Sequence, residues 1–138
     1  MPRHNPDHRS PAQFRTMREA AGITRADLAH RLGVSPKSVR AWDLHVTAPQ
    51  AAWDIVDRQS RWITATIQTA LDGLEDIDTE HGDQIEDIEL TVYATDASAT
   101  RAGIDMPAAW HRAGVAALAH TLTMAGYHCT ITYAPQEP

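Results

Sequence analysis

The chain has 138 residues, of which 43% are hydrophobic, and a formal net charge of -6. No apolar run approaches the ~20 residues that a membrane span requires, and the N-terminal MPRHNPDHRSP lacks the apolar core of a secretion signal. The single cysteine, Cys129, excludes an internal disulfide. These features predict a reduced, cytoplasmic protein of one domain or two small ones, with no membrane segment.

The charge is unevenly distributed along the chain. Residues 1–62 contain ten Arg or Lys and six Asp or Glu, a net +4, whereas residues 63–138 contain two and twelve, a net -10. The acidic run over residues 72–89 contains no Lys or Arg. This asymmetry predicts two modules with different partners, although the acidic run taken by itself is better explained as a solvated linker.

Three short helices are predicted before residue 49, each with its own start signal, and residues 1–10 are predicted to form a flexible arm before them. A capping residue followed by proline, or by an acidic residue three positions later, marks a helix start. Such pairs are Ser10 with Pro11, Thr24 with Asp27, and Ser35 with Pro36. Gly22 and Gly33 are natural stops for the first two helices.

A longer helix is predicted from Pro49, because apolar residues recur near the helical period from Trp53 to Leu74. The pattern is compatible with one continuous helix or with two helices broken near Ser60. An acidic linker is predicted to follow this helix.

The C-terminal part reads as strand, helix, strand. Residues 88–95 and 127–134 alternate β-branched and aromatic residues, and the alanine-rich segment between them predicts a helix that begins at Asp105 or Pro107 and ends at Gly126. A crossover of this length predicts parallel strands. Two strands make a poor sheet alone, so a second subunit or the long helix is expected to complete it.

The fold class is therefore α+β, with a helical N-terminal module, a long helix and a small βαβ unit for dimerisation. The predicted segments are a flexible arm over 1–10, a helix-turn-helix domain over 11–60, a helix and acidic linker over 61–84, and the βαβ unit over 85–138.

The stretch GITRADLAHRLGVSPKSVRAWD resembles the XRE family of helix-turn-helix repressors, the phage Cro and repressor type. In chain order, the motif of this family has a small residue, a turn glycine, two packing residues, a Trp-Glu pair and a proline after the loop. The residues at these positions here are Ala29, Gly33, Val34, Val39, Trp42 with Asp43, and Pro49. Two residues depart from the family pattern, Arg25 in place of Gln and Asp43 in place of Glu. The C-terminal half more faintly resembles the dimerising half of small bacterial autorepressors such as anti-CRISPR-associated regulators.

The resemblance implies DNA binding, and the side chains suit it. A recognition helix enters the major groove with its exposed face towards the bases. With Val39 and Trp42 facing inwards, the outward residues are expected to include Lys37 and Arg40, which suit guanine, and Ala41, which suits a thymine methyl. The DNA-binding candidates are Thr24, Arg25, Ser35, Pro36, Lys37, Ser38, Arg40, Ala41, His45 and Thr47, with Arg25 placed for a phosphate and His45 and Thr47 as weaker phosphate contacts.

No residue pattern predicts catalysis, a cofactor or a metal. The histidines lie outside ligand spacing, and Cys129 is expected to point to the opposite face of its strand from His128. Two functions follow: a dimeric regulator of transcription, most simply a repressor of its own gene bound to an inverted-repeat operator, or an antitoxin-like or adaptor protein whose C-terminal half binds a protein.

Overall fold

The computed structural model describes residues 9–81, with side chains as far as Ile77, and residues 87–135. It is a mixed α and β structure with these elements in chain order: α1 (Pro11–Ala20), α2 (Arg25–Leu32), α3 (Pro36–Leu44), α4 (Gln50–His81), β1 (Ile88–Val92), α5 (Asp96–Arg101), α6 (Ala108–Met124) and β2 (Cys129–Tyr133). The chain divides into two compact units at Arg58 and Gln59. The predicted α+β class is confirmed.

The first three helices begin at the predicted caps. The hydroxyl of Ser10 accepts from the Gln13 amide, and the hydroxyls of Thr24 and Ser35 accept from amides three residues on. Arg9, which was predicted to lie in the flexible arm, donates to Asp57 at 2.6 Å and its guanidinium lies 4.6 Å from the centre of the Trp53 ring. Ser10, also within the predicted arm, is the cap of α1, and residues 1–8 lie outside the described residues.

The core of the first unit forms around Phe14. This ring makes edge-to-face contacts with Trp42 at 6.3 Å and Trp53 at 5.2 Å between centroids. The other large side chains of this core with less than 2% exposure are Ile23, Leu28, Val39 and Val56. Val39 is buried as predicted, whereas Trp42 is only half-buried.

Helix α4 is continuous, which decides between the two alternatives left by the sequence. Ser60 does not interrupt it, and the Ser60 carbonyl accepts an additional bond from the Thr64 hydroxyl at 3.1 Å. The helix also includes residues 72–81, so the part of the predicted acidic linker that is described is helical; the remainder, residues 82–84, lies outside the described residues. None of the helices in the described ranges combines the length and the apolar character needed to cross a bilayer.

The second unit contains a two-stranded sheet in which β1 and β2 are parallel, as predicted. Its register pairs Ile88 with Cys129 and Leu90 with Ile131, so one face is apolar, and the opposite face carries polar residues such as Thr132, which donates to Glu89 at 3.0 Å. Helix α6 packs more closely on β1 than on β2. Ile131 and Tyr133 of β2 consequently remain 46% and 63% exposed.

Both strands are shorter than predicted. After β1 the chain forms a helix that the sequence pattern did not indicate. Thr95 caps α5 through a reciprocal pair of bonds with Ser98. Asp96 in this helix then accepts from the Ala108 amide at 2.8 Å, at the start of α6. The predicted boundaries of α6 are confirmed, since it follows Pro107 and its C-cap is Ala125.

Candidate nucleic-acid interface

A tight turn joins α2 to α3. Gly33 adopts the left-handed conformation at φ +67°, and its amide donates to the His30 carbonyl while the Val34 amide donates to the Ala29 carbonyl. These bonds satisfy the open carbonyls at the end of α2 and let the chain reverse within three residues. A side chain at residue 33 would be strained by this backbone conformation even though nothing lies within 4 Å of its Cβ position.

Helix α3 has a packed face and an exposed face. Val39 is fully buried and Trp42 is half-buried against Phe14, whereas Lys37 and Arg40 are exposed. The predicted outward orientation therefore holds for these two cations. The remaining outward candidates, Ser38 and Ala41, are half-buried at the edges of the exposed face.

The N-terminus of α3 is exposed and shaped by two serines. The Ser38 amide donates to the Ser35 hydroxyl at 3.3 Å, and the two hydroxyl oxygens lie 3.2 Å apart. Pro36 is exposed at the first helical position. Thr24 holds the equivalent position on α2, where its hydroxyl accepts from the Asp27 amide at 3.0 Å. Positive ends of helix dipoles at such exposed N-termini favour anions.

Arg25 is held by a buried carboxylate. Its Nε donates to Asp43 Oδ2 at 2.7 Å, and Arg18 donates to both oxygens of the same carboxylate, at 3.1 Å to Oδ1 and 2.7 Å to Oδ2. Asp43 has no exposed side-chain surface, whereas the Arg25 side chain is 34% exposed. Arg25 and Asp43, which in the sequence are two separate departures from the XRE pattern, pair with each other in the structure.

This three-residue ion network joins α1, α2 and α3. Burial by itself would raise the pKa of Asp43, but the hydrogen bonds and positive charges of Arg18 and Arg25 outweigh burial and hold that pKa below its ordinary value. Arg18 also donates to the Ile23 carbonyl at 2.6 Å. The network fixes the start of α2 relative to α3. Its most buried cation is Arg18, which no sequence pattern indicated.

His45 and Thr47 lie in the exposed segment after α3. His45 is the C-cap residue, with its amide donating to the Ala41 carbonyl, and both side chains are exposed. Leu44 and Val46, 48% and 43% exposed, are interleaved with them. The structure thus gives neither candidate a specific orientation through a side-chain contact, and they remain the weaker members of the predicted set.

Within 9–81 and 87–135, no three or more His, Cys, Asp or Glu side chains come together in a group that could hold a metal ion. A shallow depression of about 400 Å³ lies in the second unit, between the C-terminal ends of the two strands and α5, and Tyr93, Ser98 and Arg101 are among its lining residues. Arg101 is the one cation among the described residues that line it.

Comparison with known proteins adds no assignment. No protein-family model matches the sequence, and no curated protein shows significant similarity to it. The XRE resemblance consequently remains a prediction supported by the residues quoted above and by the geometry of the first unit.

Proposed function

We propose that this protein is a sequence-specific DNA-binding regulator of transcription, which reads the major groove of duplex DNA with α3. The observation that carries this proposal is the two-sided character of α3. One side packs into the first unit through Val39, and the other presents Lys37 and Arg40 to solvent with no described salt bridge. The short turn between α2 and α3 supports the proposal, because a helix-turn-helix motif places its second helix in the major groove.

The exposed residues of α3 suit base recognition. Arg40 and Lys37 can each donate to O6 and N7 of guanine, the commonest specific contact in major-groove recognition. Ala41 offers a methyl group to a thymine methyl. Ser38 is less available, since its hydroxyl lies 3.2 Å from that of Ser35.

The start of α2 supplies the phosphate contact in this proposal. A phosphate oxygen at this position would meet the α2 N-terminus and the exposed part of the Arg25 guanidinium. The bond from Arg25 to Asp43 reduces the conformational freedom that this side chain would lose on binding. Arg25 would therefore raise the affinity for every DNA sequence alike and would not contribute to sequence preference.

The net charge of -6 is compatible with this proposal because the acidic residues lie mainly in the second part of the chain. Screening limits their influence, since the Debye length is ~8 Å at physiological salt. A regulator of this kind would act as a repressor in the cytoplasm, on an inverted-repeat site bound by two copies.

The test is selection of bound fragments from random duplex DNA by the intact protein, followed by titration of Arg40→Ala on the selected duplex. We expect Arg40→Ala to weaken binding by about 5–150-fold and to relax the preference at one base pair, because a bidentate contact contributes about 1–3 kcal/mol of discrimination. Arg101→Ala removes the same charge from the second unit and should leave binding unchanged. Failure to enrich any sequence would contradict the proposal.

A protein adaptor is the second candidate, and the exposed Ile131 and Tyr133 on β2 favour it. Apolar side chains exposed side by side at a sheet edge can bind a partner strand or helix. This candidate predicts that a stoichiometric protein partner is lost on Tyr133→Glu, whereas Arg40→Ala retains it.

A further inference from the structure

The depression in the second unit lies just beyond the carboxyl ends of the two parallel strands. Its walls come from the residues that follow the strands and from α5 with its C-cap: Tyr93, Ala134, Pro135, Ser98, Arg101 and Ala102. Its volume of about 400 Å³ falls within the range of small-molecule sites. Ligands of open α/β sheets bind outside the carboxyl ends of the strands, so this depression has the position of a ligand site.

Two polar side chains in the depression are available to a ligand. The third, the Ser98 hydroxyl, is committed to the cap of α5, where it donates to the Thr95 carbonyl at 2.9 Å. The Tyr93 hydroxyl and the Arg101 guanidinium have no hydrogen-bond or ion-pair partner among the residues that the structure describes. The depression therefore offers one phenol donor and one guanidinium fork.

Cations are scarce in this part of the chain, and both of them bear on the depression. Residues 63–138 contain two Arg or Lys residues, Arg101 and Arg112. Arg112 donates to the Tyr93 carbonyl at 2.5 Å and thereby holds the main chain at the end of β1. Neither guanidinium pairs with a carboxylate in the described ranges. Both cations thus lie at the same end of the sheet, and Arg101 is the one that lines the depression.

The carboxylates nearby in sequence lie away from the depression or are bonded elsewhere. Asp87 precedes β1, and six residues at ~3.3 Å each put it about 20 Å from Tyr93, more than twice the Debye length of ~8 Å. Asp96 of α5 accepts from the Ala108 amide at 2.8 Å. No Asp or Glu is among the described lining residues. The local charge is therefore that of Arg101, although the net charge of residues 63–138 is -10.

We infer that this depression binds a small organic anion, a carboxylate carried on a single ring. The guanidinium of Arg101 pairs with the carboxylate through two parallel hydrogen bonds, and the Tyr93 hydroxyl donates a third. The ring contacts the apolar part of the wall, which consists of Ala102, Ala134 and Pro135. One unpaired guanidinium balances one negative charge, which favours a carboxylate over a phosphate dianion. This inference does not rest on the proposed function.

The first test titrates the intact, isotopically labelled chain with benzoate, acetate and benzamide at constant ionic strength, and follows the backbone amides by NMR. Benzoate should bind with a dissociation constant of about 1 mM, a usual value for a ligand of this size. Its shift changes should cluster at Tyr93, residues 98–102 and Ala134. Acetate lacks the ring and should bind at least about 5-fold more weakly. Benzamide lacks the charge and should bind at least about 10-fold more weakly.

The second test repeats the benzoate titration on variants. Arg101→Gln should weaken binding about 10-fold or more, and Arg101→Lys should weaken it less, because lysine keeps the charge without the planar fork. Tyr93→Phe removes one hydrogen bond and should weaken binding about 2–10-fold. Arg61→Gln, which removes an exposed cation elsewhere in the second unit, is the matched control and should bind as the wild type does. Far-UV circular dichroism checks that each variant is folded.

Four results would overturn the inference. They are an absence of saturable benzoate binding up to about 10 mM, equal binding of benzamide and benzoate, equal losses in Arg61→Gln and Arg101→Gln, and shift changes that cluster at Lys37 and Arg40 instead. The titration contains no DNA. A chain that binds benzoate as described and selects no duplex would therefore contradict the proposed function alone.

Discussion

At the residue scale, the buried carboxylate of Asp43 is the most constrained group of the first unit. It joins Arg18 and Arg25, and removing its charge leaves the buried Arg18 guanidinium without a counter-charge. We expect Asp43→Asn to lower the free energy of unfolding by about 3 kcal/mol, the usual cost of breaking a buried pair. Urea unfolding followed by near-UV circular dichroism measures this change.

The exposed Asp54, which accepts from Gln50 at 2.8 Å, is the matched control. Asp54→Asn should shift the free energy of unfolding by less than about 0.5 kcal/mol. Equal shifts for the two variants would show that the network adds no stability. Because the folded pKa of Asp43 is lowered, its stabilising contribution is present above the unfolded value of 3.8 and is lost as the pH falls through the folded pKa.

A second residue-scale prediction concerns His111, which lies between the rings of Trp62 and Tyr93 at centroid distances of 5.8 and 5.2 Å. Its Nδ1 is buried and has no hydrogen-bond partner among the described residues. Burial, and then the charge of Arg112, lower the pKa of His111 below 6.5. The neutral imidazole is therefore the form that the folded second unit accommodates.

As the pH falls, His111 is therefore protonated in the unfolded chain at a higher pH than in the folded chain. The contribution of neutral His111 to stability is present in full above pH 6.5 and is lost on acidification towards the folded pKa. His111→Phe keeps a ring between Trp62 and Tyr93 and removes the titration. Urea unfolding at pH 8 and pH 5 should show a smaller loss of stability for His111→Phe than for the wild type. The exposed His120→Gln should behave like the wild type; the opposite order would refute this assignment.

At the element scale, two glycines in helices have opposite surroundings. A Cβ at Gly114 in α6 would overlap Cζ3 of Trp62, whereas a Cβ at Gly73 in α4 would meet nothing within 4 Å. We expect Gly73→Ala to raise the midpoint of thermal unfolding, since alanine gains up to about 1 kcal/mol over glycine in a helix interior. Gly114→Ala gains the same propensity and should nevertheless lower that midpoint, because overpacking costs about 1–3 kcal/mol. A higher midpoint for Gly114→Ala would show that Trp62 is not closely packed there.

Sequence patterns predicted the elements whose signals are local. The caps Ser10, Thr24 and Ser35 marked three helix starts correctly, because a capping hydroxyl bonds an amide only three residues away. Helix α5 was missed, since six residues are too few to show an apolar period. The continuity of α4 stayed open because polar Ser60 falls on the apolar stripe.

Local sequence patterns could not predict contacts between residues that lie far apart in the chain. The pairing of Arg18 and Arg25 with Asp43 joins residues 25 and 18 positions apart, and single residues at such separations carry no periodic signal. The exposed faces of Lys37 and Arg40 were predictable, because they follow from the positions of Val39 and Trp42 on one helix turn.

At the scale of the whole molecule, basic and acidic residues lie in different parts of the chain, and this supports separate roles for the two units. The part of the chain that contains α1 to α3 carries the excess of basic residues, and the part from Ile63 onwards is acidic. Each part has its own core, with Phe14 and Leu28 in the first unit and Leu118 and Leu122 in the second. In the proposed function, the first unit is the one that binds duplex DNA.

The most direct measurement of this account is an NMR titration of the intact, isotopically labelled protein with its selected duplex, which follows every backbone amide. We predict that the largest shift changes cluster at Thr24, Arg25 and residues 35–41, where two helix N-termini and the exposed face of α3 would meet the groove. Amides of β1 and β2 should change little. Changes concentrated in residues 88–133, or an even spread of small changes without a cluster on α3, would contradict the account.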